Sequence, residues 1–291
     1  MCKTINIKVI IFGASGFIGK ALCKELKARN IEIVALASSD LDLLKINKNH
    51  KLLTTMDKNT SIVFMSTIIP SKNENNFKKN VSIINNFISL IKDKQFNHII
   101  YLSSDAVYKD SLSKINENSD KNEVDLYAKM HLVREDIIKE YCNKNDISFS
   151  ILRPTAVFGP GATHYSYGPN KFIKAINAGE KISLFGKGEE GRDYIFIYDL
   201  VKIIADIIEK KILGIFTLAS GKVYTFHQVA KLICNIQKIS FSRIEFIKRN
   251  KIKTYSKYRS FDISKLKKNI SSLDFTDLKK AIEWSIKNNF R

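Results

Sequence analysis

Tyr127 and His131 stand four residues apart in the run Asp125-Leu126-Tyr127-Ala128-Lys129-Met130-His131. If that run is helical, the phenol and the imidazole share one face. It continues to Tyr141 with Leu132, Val133, Ile137 and Ile138 at three- and four-residue intervals, the period of an α-helix. The chemistry open to such a pair is proton transfer. A cation beside a phenol lowers its pKa toward working pH and makes it a general acid or base. A tyrosine and a histidine also share helix faces in proteins where neither has a function. The pair therefore needs a cofactor and a second polar group around it before it means catalysis.

The N-terminal stretch offers a cofactor site. Val9-Ile10-Ile11-Phe12 is a short apolar run of the kind a buried parallel strand carries. Gly13-Ala14-Ser15-Gly16-Phe17-Ile18-Gly19 follows at once, and Lys20 to Arg29 reads as a helix with Ala21, Leu22, Leu26 and Ala28 on its apolar side. Strand, glycine turn and helix in that order is the context a dinucleotide requires. Gly13 permits the tight turn, Gly16 lets backbone approach a pyrophosphate at the helix N-terminus, and Gly19 lets helix and strand pack closely. Ile31 to Leu36 is the next strand. An NAD site usually ends this strand in an acid that holds the ribose diol. Here Ala37, Ser38 and Ser39 come first and Asp40 later, so no acid repels a 2′-phosphate and the reading leans to NADP, with NAD still accommodated.

The remaining elements position these residues. Ser61 to Met65 reads as a buried strand ending in Ser66 and Thr67, small residues where a cofactor would pass. Phe77 to Ile91 is helical, with Phe77, Val81, Ile84, Ile88 and Ile91 in register. His98 to Leu102 is a strand running into Ser103-Ser104-Asp105-Ala106-Val107-Tyr108, residues 109–123 read as a polar surface loop, and Ser148 to Leu152 is a further strand. Alternating strands and helices predict an α/β fold, a Rossmann-type doubly wound parallel sheet. After Arg153-Pro154 the pattern changes, with turns at Gly159-Pro160-Gly161 and Gly168-Pro169. Helices are expected from Asn170 to Ala178, from a cap at Asp199 to Lys210, from a cap at Thr225 through Phe226 to Ile236, and from Thr276 to Asn288. Strands are expected at Lys181 to Phe185, Arg192 to Ile197 and Gly214 to Leu218. The division is a dinucleotide-binding domain over residues 1–158, with strands from about 192–218, and a smaller C-terminal α/β substrate-binding lobe over 159–291.

The 291 residues suit one large domain or two sharing a core. A net charge of +19 could serve a polyanion, but the lysines are spread along the chain among Asn and Ile, with no arginine-rich arm. Drift of composition explains this better than a nucleic-acid partner. Cys2, Cys23, Cys142 and Cys234 stand far apart, as reduced thiols of a cytoplasmic protein do, with no zinc spacing. No secretory leader is read at the N-terminus, and no apolar run approaches membrane-spanning length.

GASGFIG at 13–19, YLSSDAVY at 101–108, LRPTAVFGPG at 152–161 and GRDYIFIYDLV at 191–201 fall in one order over almost the whole chain. Together they resemble the extended short-chain dehydrogenase/reductase superfamily, the NAD-dependent nucleotide-sugar epimerases, dehydratases and 4-ketoreductases. The resemblance implies an enzyme that moves hydride at or near the sugar C4, as a 4-epimerase or 4-ketoreductase. It implies that Ser104 hydrogen-bonds the reacting sugar oxygen and that Tyr127 is the acid/base. His131 then falls where the family carries a lysine that holds the nicotinamide ribose and lowers the tyrosine's pKa. NAD(P) contacts are implied for Gly13, Ser15, Gly16, Phe17, Ile18 and Gly19. They are also implied for Ser38, Ser39, Ser66, Thr67 and Pro154, and for Tyr127 and His131 themselves. On the substrate side the resemblance implies Ser104 and Asp105, Asn170 in the sugar-nucleotide pocket, and Arg192 and Arg259 on the diphosphate. Arg192 could instead pair with Asp193, Asn170 could cap a helix, and Lys251, Lys253 and Lys257 could make Arg259 part of a solvated basic face. His164 is assigned no role. A homodimer through the Phe77 and Tyr127 helices is implied as well.

Two departures qualify the resemblance. An unperturbed imidazole is only about a quarter protonated at pH 7, so His131 lacks the lysine's charge. Lys129 cannot replace it, because two residues along a helix points nearly the opposite way. The dehydratases carry Thr-Asp-Glu where this chain has Ser104-Asp105-Ala106, and a methyl group cannot act as a base. A 4,6-dehydratase therefore ranks below the epimerase and ketoreductase readings. The alternative of another class is a non-catalytic NAD(P)-sensing regulator on the same fold, for which a pure sensor's lack of need for Ser104 and Tyr127 is the discriminating feature.

Overall fold

The computed structural model describes residues 7–45, 55–71, 73–163, 165, 168–248, 258–270 and 273–288. Cys2, His164, Lys251, Lys253 and Lys257 lie outside the described residues. In chain order the elements are β1 (Lys8–Phe12), α1 (Phe17–Ala28), β2 (Glu32–Leu36), β3 (Thr60–Phe64), α2 (Glu74–Ile91), β4 (His98–Leu102), α3 (Leu126–Lys144), β5 (Ser148–Pro154) and β6 (Ala156–Phe158). Then come α4 (Pro169–Asn177), β7 (Ile182–Phe185), β8 (Gly191–Phe196), α5 (Ile197–Glu209), β9 (Gly214–Leu218), β10 (Val223–Thr225), α6 (Phe226–Gln237), β11 (Ile244–Ile247), β12 (Tyr258–Arg259), α7 (Ser264–Asn269) and α8 (Leu278–Asn288).

The chain divides into two compact units. The first holds the described residues up to Lys109, with Ser119–Pro154 and Val201–Phe216. The second holds Asp110–Asn118, Thr155–Leu200 and the described residues from Thr217 on. The division thus falls at Pro154 rather than 158, and of the 192–218 stretch only residues 201–216 join the first unit.

A six-stranded sheet runs β2-β1-β3-β4-β5-β9. β1 pairs in parallel with β2 on one side and β3 on the other, and β3–β4 and β4–β5 are parallel too. The strand order therefore reverses at β1, and the crevice at the carboxyl ends of β1 and β3 is where such sheets bind ligands. β3 and β4 are buried at every position, including the polar Thr60, Ser61 and His98 at their starts. Over them pack Ile84, Phe87 and Ile91 of α2 and Ile138 and Cys142 of α3. The Phe87 ring stacks on Phe64 at 4.2 Å and meets Phe12 edge-on at 5.0 Å. Each such buried ring contributes roughly 1.5–3 kcal/mol.

Several expected positions move. Ala28 is exposed, and α1 starts at Phe17, inside the glycine motif. The buried stripe of α2 is Asn80, Ile83, Ile84, Phe87, Leu90 and Ile91, leaving Phe77, Val81 and Ile88 half-buried. The 109–123 stretch is not a plain surface loop: Ile115 is fully buried and bridges to Phe261. Asp199 is not a cap. It lies inside α5, and its carboxylate accepts from the Thr276 backbone N–H at 2.8 Å and hydroxyl at 2.7 Å. Thr225 does cap α6, in a reciprocal box with Gln228.

In the second unit β8 is flanked by β10, β12 and β6, and β7 pairs with β11. Cys23, Cys142 and Cys234 are free thiols. Among the described residues no three His, Cys, Asp or Glu side chains cluster for a metal, and no helix is long and apolar enough to cross a membrane.

A buried histidine in the sheet predicts acid sensitivity. The Ser150 hydroxyl donates to the Ile212 carbonyl at 2.6 Å, so His98 Nε2 must donate to Ser150 Oγ at 2.8 Å. Nδ1 is then bare, buried and without a partner. Burial, and secondarily the Lys211 charge, push the His98 pKa down to about 3. The folded pKa lies below the unfolded value, so the unfolded chain takes up the proton first. His98's share of stability is complete above about pH 6.5 and falls by about 1.4 kcal/mol per pH unit as pH drops toward 3. Urea unfolding at pH 6.5 and 5 should show this loss, about 2 kcal/mol, shrinking in His98→Gln, which keeps a donor for Ser150 but does not titrate.

Candidate active site

The glycine turn is built from the backbone. Gly13 has φ +88, a conformation that L side chains rarely adopt, and a Cβ there would sit 3.0 Å from the Ser66 backbone nitrogen. Its N–H and that of Ala14 donate to the Leu36 carbonyl, which ties the turn to the end of β2. Gly19 is closer still: a Cβ would lie 2.3 Å from the Gly13 carbonyl oxygen. Gly16 is the N-cap of α1, whose first turn has no side-chain cap and no acidic residue. An α1 N-terminus left open beside β1 and β3 fits a dinucleotide pyrophosphate. Ser15, Phe17 and Ile18 lie in this turn, and Ser38 and Ser39 are exposed past β2. Asp40 folds back into its own turn, accepting from the Ala37 N–H at 2.8 Å.

Beyond β4, Ser104 caps a short 3₁₀ turn, Asp105–Val107, and its Oγ accepts from the Ala106 N–H at 3.2 Å. Asp125 caps α3, accepting from the N–H groups of Tyr127 and Ala128 at 2.9 and 3.0 Å. That cap fixes the first turn of α3 and so the Tyr127 ring, which meets His131 edge-on at 4.7 Å. Burial is the main influence on the Tyr127 phenol and pushes its pKa up. A Ser104 hydrogen bond opposes burial, the Asp105 and Asp125 charges add to it, and the Arg134 charge works against it. Ser104 and Tyr127 are thus neighbours, while Ser104 also satisfies a backbone group.

His131 is 2% exposed. Its Nδ1 shares a 2.6 Å hydrogen bond with the Tyr101 hydroxyl, and Nε2 is buried with no partner. Burial, then the nearby Arg134 charge, hold its pKa well below the usual value, so the ring is neutral. An orphaned buried ring nitrogen beside Tyr127 fits a ribose hydroxyl.

Three residues of this neighbourhood escaped the sequence reading. The apolar stripe expected on α3 is only half-buried at Leu132, Val133 and Ile137, whereas Arg134 and Glu135 are fully buried. Arg153 of β5 is 1% exposed and forms a two-pronged pair with Glu135, at 2.9 and 2.5 Å. Burial works against the Arg153 charge, yet Glu135 and Tyr108 more than offset it and hold its pKa above the ordinary value. Ser103 donates to the same carboxylate at 2.6 Å, and Arg153 donates to the Tyr108 hydroxyl at 3.0 Å. This network joins α3 to both ends of the Ser104 segment. A signal was available: acid and base inside a helix that should face a sheet.

Ser66 and Thr67 follow β3, and the Ser66 carbonyl and the Thr67 hydroxyl are engaged by Arg134. Arg134 donates to the Ser66 carbonyl at 2.6 Å and to Thr67 Oγ1 at 3.0 Å. Pro154 ends β5 and is buried.

In the second unit, Arg192 does not pair with Asp193. It donates to the Gly191 carbonyl at 2.8 Å and lies 3.7 Å from Glu190. Asp193 is buried and accepts from Ser220 and Gly221 instead. Arg259 pairs with Asp110 at 2.6 Å and stands opposite Arg192 in the register of β12 on β8. Two guanidiniums side by side on one sheet suit a polyanion such as a diphosphate. Asn170 is not a cap. It is the second residue of α4, 3% exposed, and accepts from the Gly159 N–H at 3.2 Å.

Residues 9–218 match the model of the NAD dependent epimerase/dehydratase family. The chain is 23% identical over 305 residues to the uncharacterized UDP-glucose epimerase YtcB of Bacillus subtilis (strain 168), covering 95% of this chain and 96% of that protein. Its fold is similar to that of UDP-glucuronic acid 4-epimerase from Bacillus cereus, solved with UDP-glucuronic acid and NAD, with a TM-score of 0.84 at 19% identity over 97% of this chain and 99% of the other. It is also similar to a GDP-L-fucose synthetase from Naegleria fowleri bound to NADP, with a TM-score of 0.80 at 18% identity over 99% and 93%. With a Rossmann-type sheet, a glycine turn and a family match over more than half its length, the chain belongs to the NAD dependent epimerase/dehydratase family and is an enzyme of the extended short-chain dehydrogenase/reductase type.

Proposed function

We propose that this enzyme oxidises or reduces a nucleotide-sugar at or near C4 of the sugar, as a 4-epimerase or 4-ketoreductase, with Ser104 and Tyr127 on the reacting oxygen. The observation that carries this reading is the meeting of Ser104 and Tyr127 beyond the carboxyl end of β4, beside the orphaned His131 Nε2. A nicotinamide dinucleotide, when bound, accepts or returns the hydride. In the oxidative direction Tyr127 takes the hydroxyl proton as the C–H bond breaks and C=O forms; in the reductive direction it returns that proton. Ser104 hydrogen-bonds the same oxygen. Gly13, Gly16 and the α1 N-terminus would hold the pyrophosphate, and His131 Nε2 a ribose hydroxyl. Exposed Ser38 and Ser39, with no acid ending β2, favour NADP over NAD. Arg192 and Arg259 would take the substrate diphosphate. Ala106 supplies no base, which ranks a dehydratase lower. Half-buried apolar residues on α2 and α3 support a homodimer through those helices.

The test is to denature the purified protein, identify any released dinucleotide by mass, and follow UDP-, dTDP-, CDP-, ADP- and GDP-sugars by proton NMR. Stoichiometric NAD with inversion at C4 is the epimerase result. Cofactor-free protein that reduces a 4-keto sugar nucleotide with NADPH is the reductase result. A protein that holds no dinucleotide and turns over no sugar nucleotide would sink the proposal.

A further inference from the structure

The face of α3 that carries Tyr127 and His131 also carries Arg134, seven and three residues further on. Arg134 is fully buried, yet no carboxylate among the described residues pairs with it. Its partners are neutral: the Ser66 carbonyl, Thr67 Oγ1, the Met130 sulfur at 3.7 Å, and the ring faces of Phe64 at 4.9 Å and Tyr101 at 5.5 Å. Its Nε has no partner. Burying a cation without an anion is costly. The neighbouring Glu135 shows the contrast, since its charge is answered by Arg153. A fold that retains an unanswered guanidinium one turn from His131 and two turns from Tyr127, on the same helix face, is keeping the charge for something besides stability.

Resting on the function proposed above, we infer that Arg134 is the cation of this active site, a positioning residue whose buried charge favours the phenolate of Tyr127 in place of the charge that His131 does not carry. The other cation on that helix turn, Lys129, is exposed on another side. The charged and titratable groups facing this cluster are Asp105 beyond β4, Asp125 at the α3 cap, Tyr101 of β4, and Tyr127, His131 and Glu135 of α3 itself. The acids disfavour a phenolate at Tyr127, and Arg134 favours one. It favours one at Tyr101 also, but that ring is fully buried, its hydroxyl is engaged with His131 Nδ1, and burial holds its pKa above the usual range. Phe64 and Tyr101 support the guanidinium through their ring faces.

The experiment is the pH profile of kcat/KM in the oxidative direction, on the holoenzyme, for Arg134→Gln, Arg134→Lys, and Arg134→Gln combined with His131→Lys. Loss of the cation raises the Tyr127 pKa, so Arg134→Gln should move the rising limb to higher pH by about one unit or more. Arg134→Lys should keep the limb near the parent's, and His131→Lys should return it in the Arg134→Gln background. A purely structural arginine would not be rescued by a lysine one turn away. Thr67→Asp gives a second reading that leaves Arg134 in place: the new carboxylate pairs with it, cancels its field, and should move the limb the same way. An unmoved limb in Arg134→Gln overturns the inference, as it does in Thr67→Asp should Arg134→Gln not fold. If Tyr127→Phe turns over as the parent does, the proposed function fails instead; a dead Tyr127→Phe with unmoved limbs sinks the role of Arg134 alone.

Discussion

Tyr127→Phe is expected to lower kcat on the productive nucleotide-sugar by about 10²–10⁴-fold, the range that a positioned general acid/base contributes. The substitution removes one oxygen and leaves the ring. The edge-on contact with His131 and the Asp125 cap that sets the helix both survive, because neither uses the hydroxyl. KM and dinucleotide affinity should therefore change little, and the loss should fall on kcat. Because burial pushes the Tyr127 pKa up, the phenolate is scarce near neutrality and the parent's oxidative rate should climb with pH. That climb should vanish in the variant. Turnover measured by NMR, with thermal melting as a control for folding, checks both parts. A variant within threefold of the parent would remove Tyr127 from the chemistry.

Periodicity and glycine spacing made the first unit readable. Val9–Phe12 and the Gly13 turn are local signals: a strand buried on both faces favours an unbroken apolar run, and a positive φ favours glycine. The same reasoning put the wrong stripe inside α3. It looked for apolar residues at helical spacing and chose Leu132, Val133, Ile137 and Ile138, of which only Ile138 is buried, whereas the helix also buries His131, Arg134 and Glu135. Burial there is decided by partners distant in sequence: Arg153 is 18 residues from Glu135, and Thr67 is 67 from Arg134. No spacing rule within the helix contains them. Arg192 illustrates the same limit. Adjacency suggested Asp193 as its partner, but successive strand residues point to opposite faces, and Asp193 turns to Ser220 and Gly221. Asp199 looked like a helix cap because the backbone before it is not legibly helical, while α5 starts two residues earlier and the carboxylate serves Thr276. The positions of Tyr127, Ser104 and His131 were legible as types. That His131 is neutral and bonded to Tyr101 was not, since it depends on burial against β4.

Glu135→Leu is expected to cost about 3–5 kcal/mol of unfolding free energy, because it strands the Arg153 charge in the interior. Arg153 is 1% exposed, and without Glu135 it is left with the hydroxyl and ring of Tyr108. Arg153→Met should cost a similar amount, leaving Glu135 with Ser103 at 2.6 Å and Lys139 at 3.8 Å. Glu135→Leu combined with Arg153→Met removes both charges and puts apolar groups of comparable volume in their place, so it should recover most of the loss. Urea unfolding of the four proteins then gives a coupling energy of several kcal/mol. The double variant also separates stability from positioning. Ser103 and Tyr108 bracket Ser104 and Asp105, and each loses a charged partner, Ser103 the Glu135 carboxylate of α3 and Tyr108 the Arg153 guanidinium of β5. A stable double variant with reduced kcat would show that the pair sets the spacing between Ser104 and Tyr127. Single variants that lose under 1 kcal/mol would mean that water reaches the stranded charge and that the site is not as dry as its burial implies.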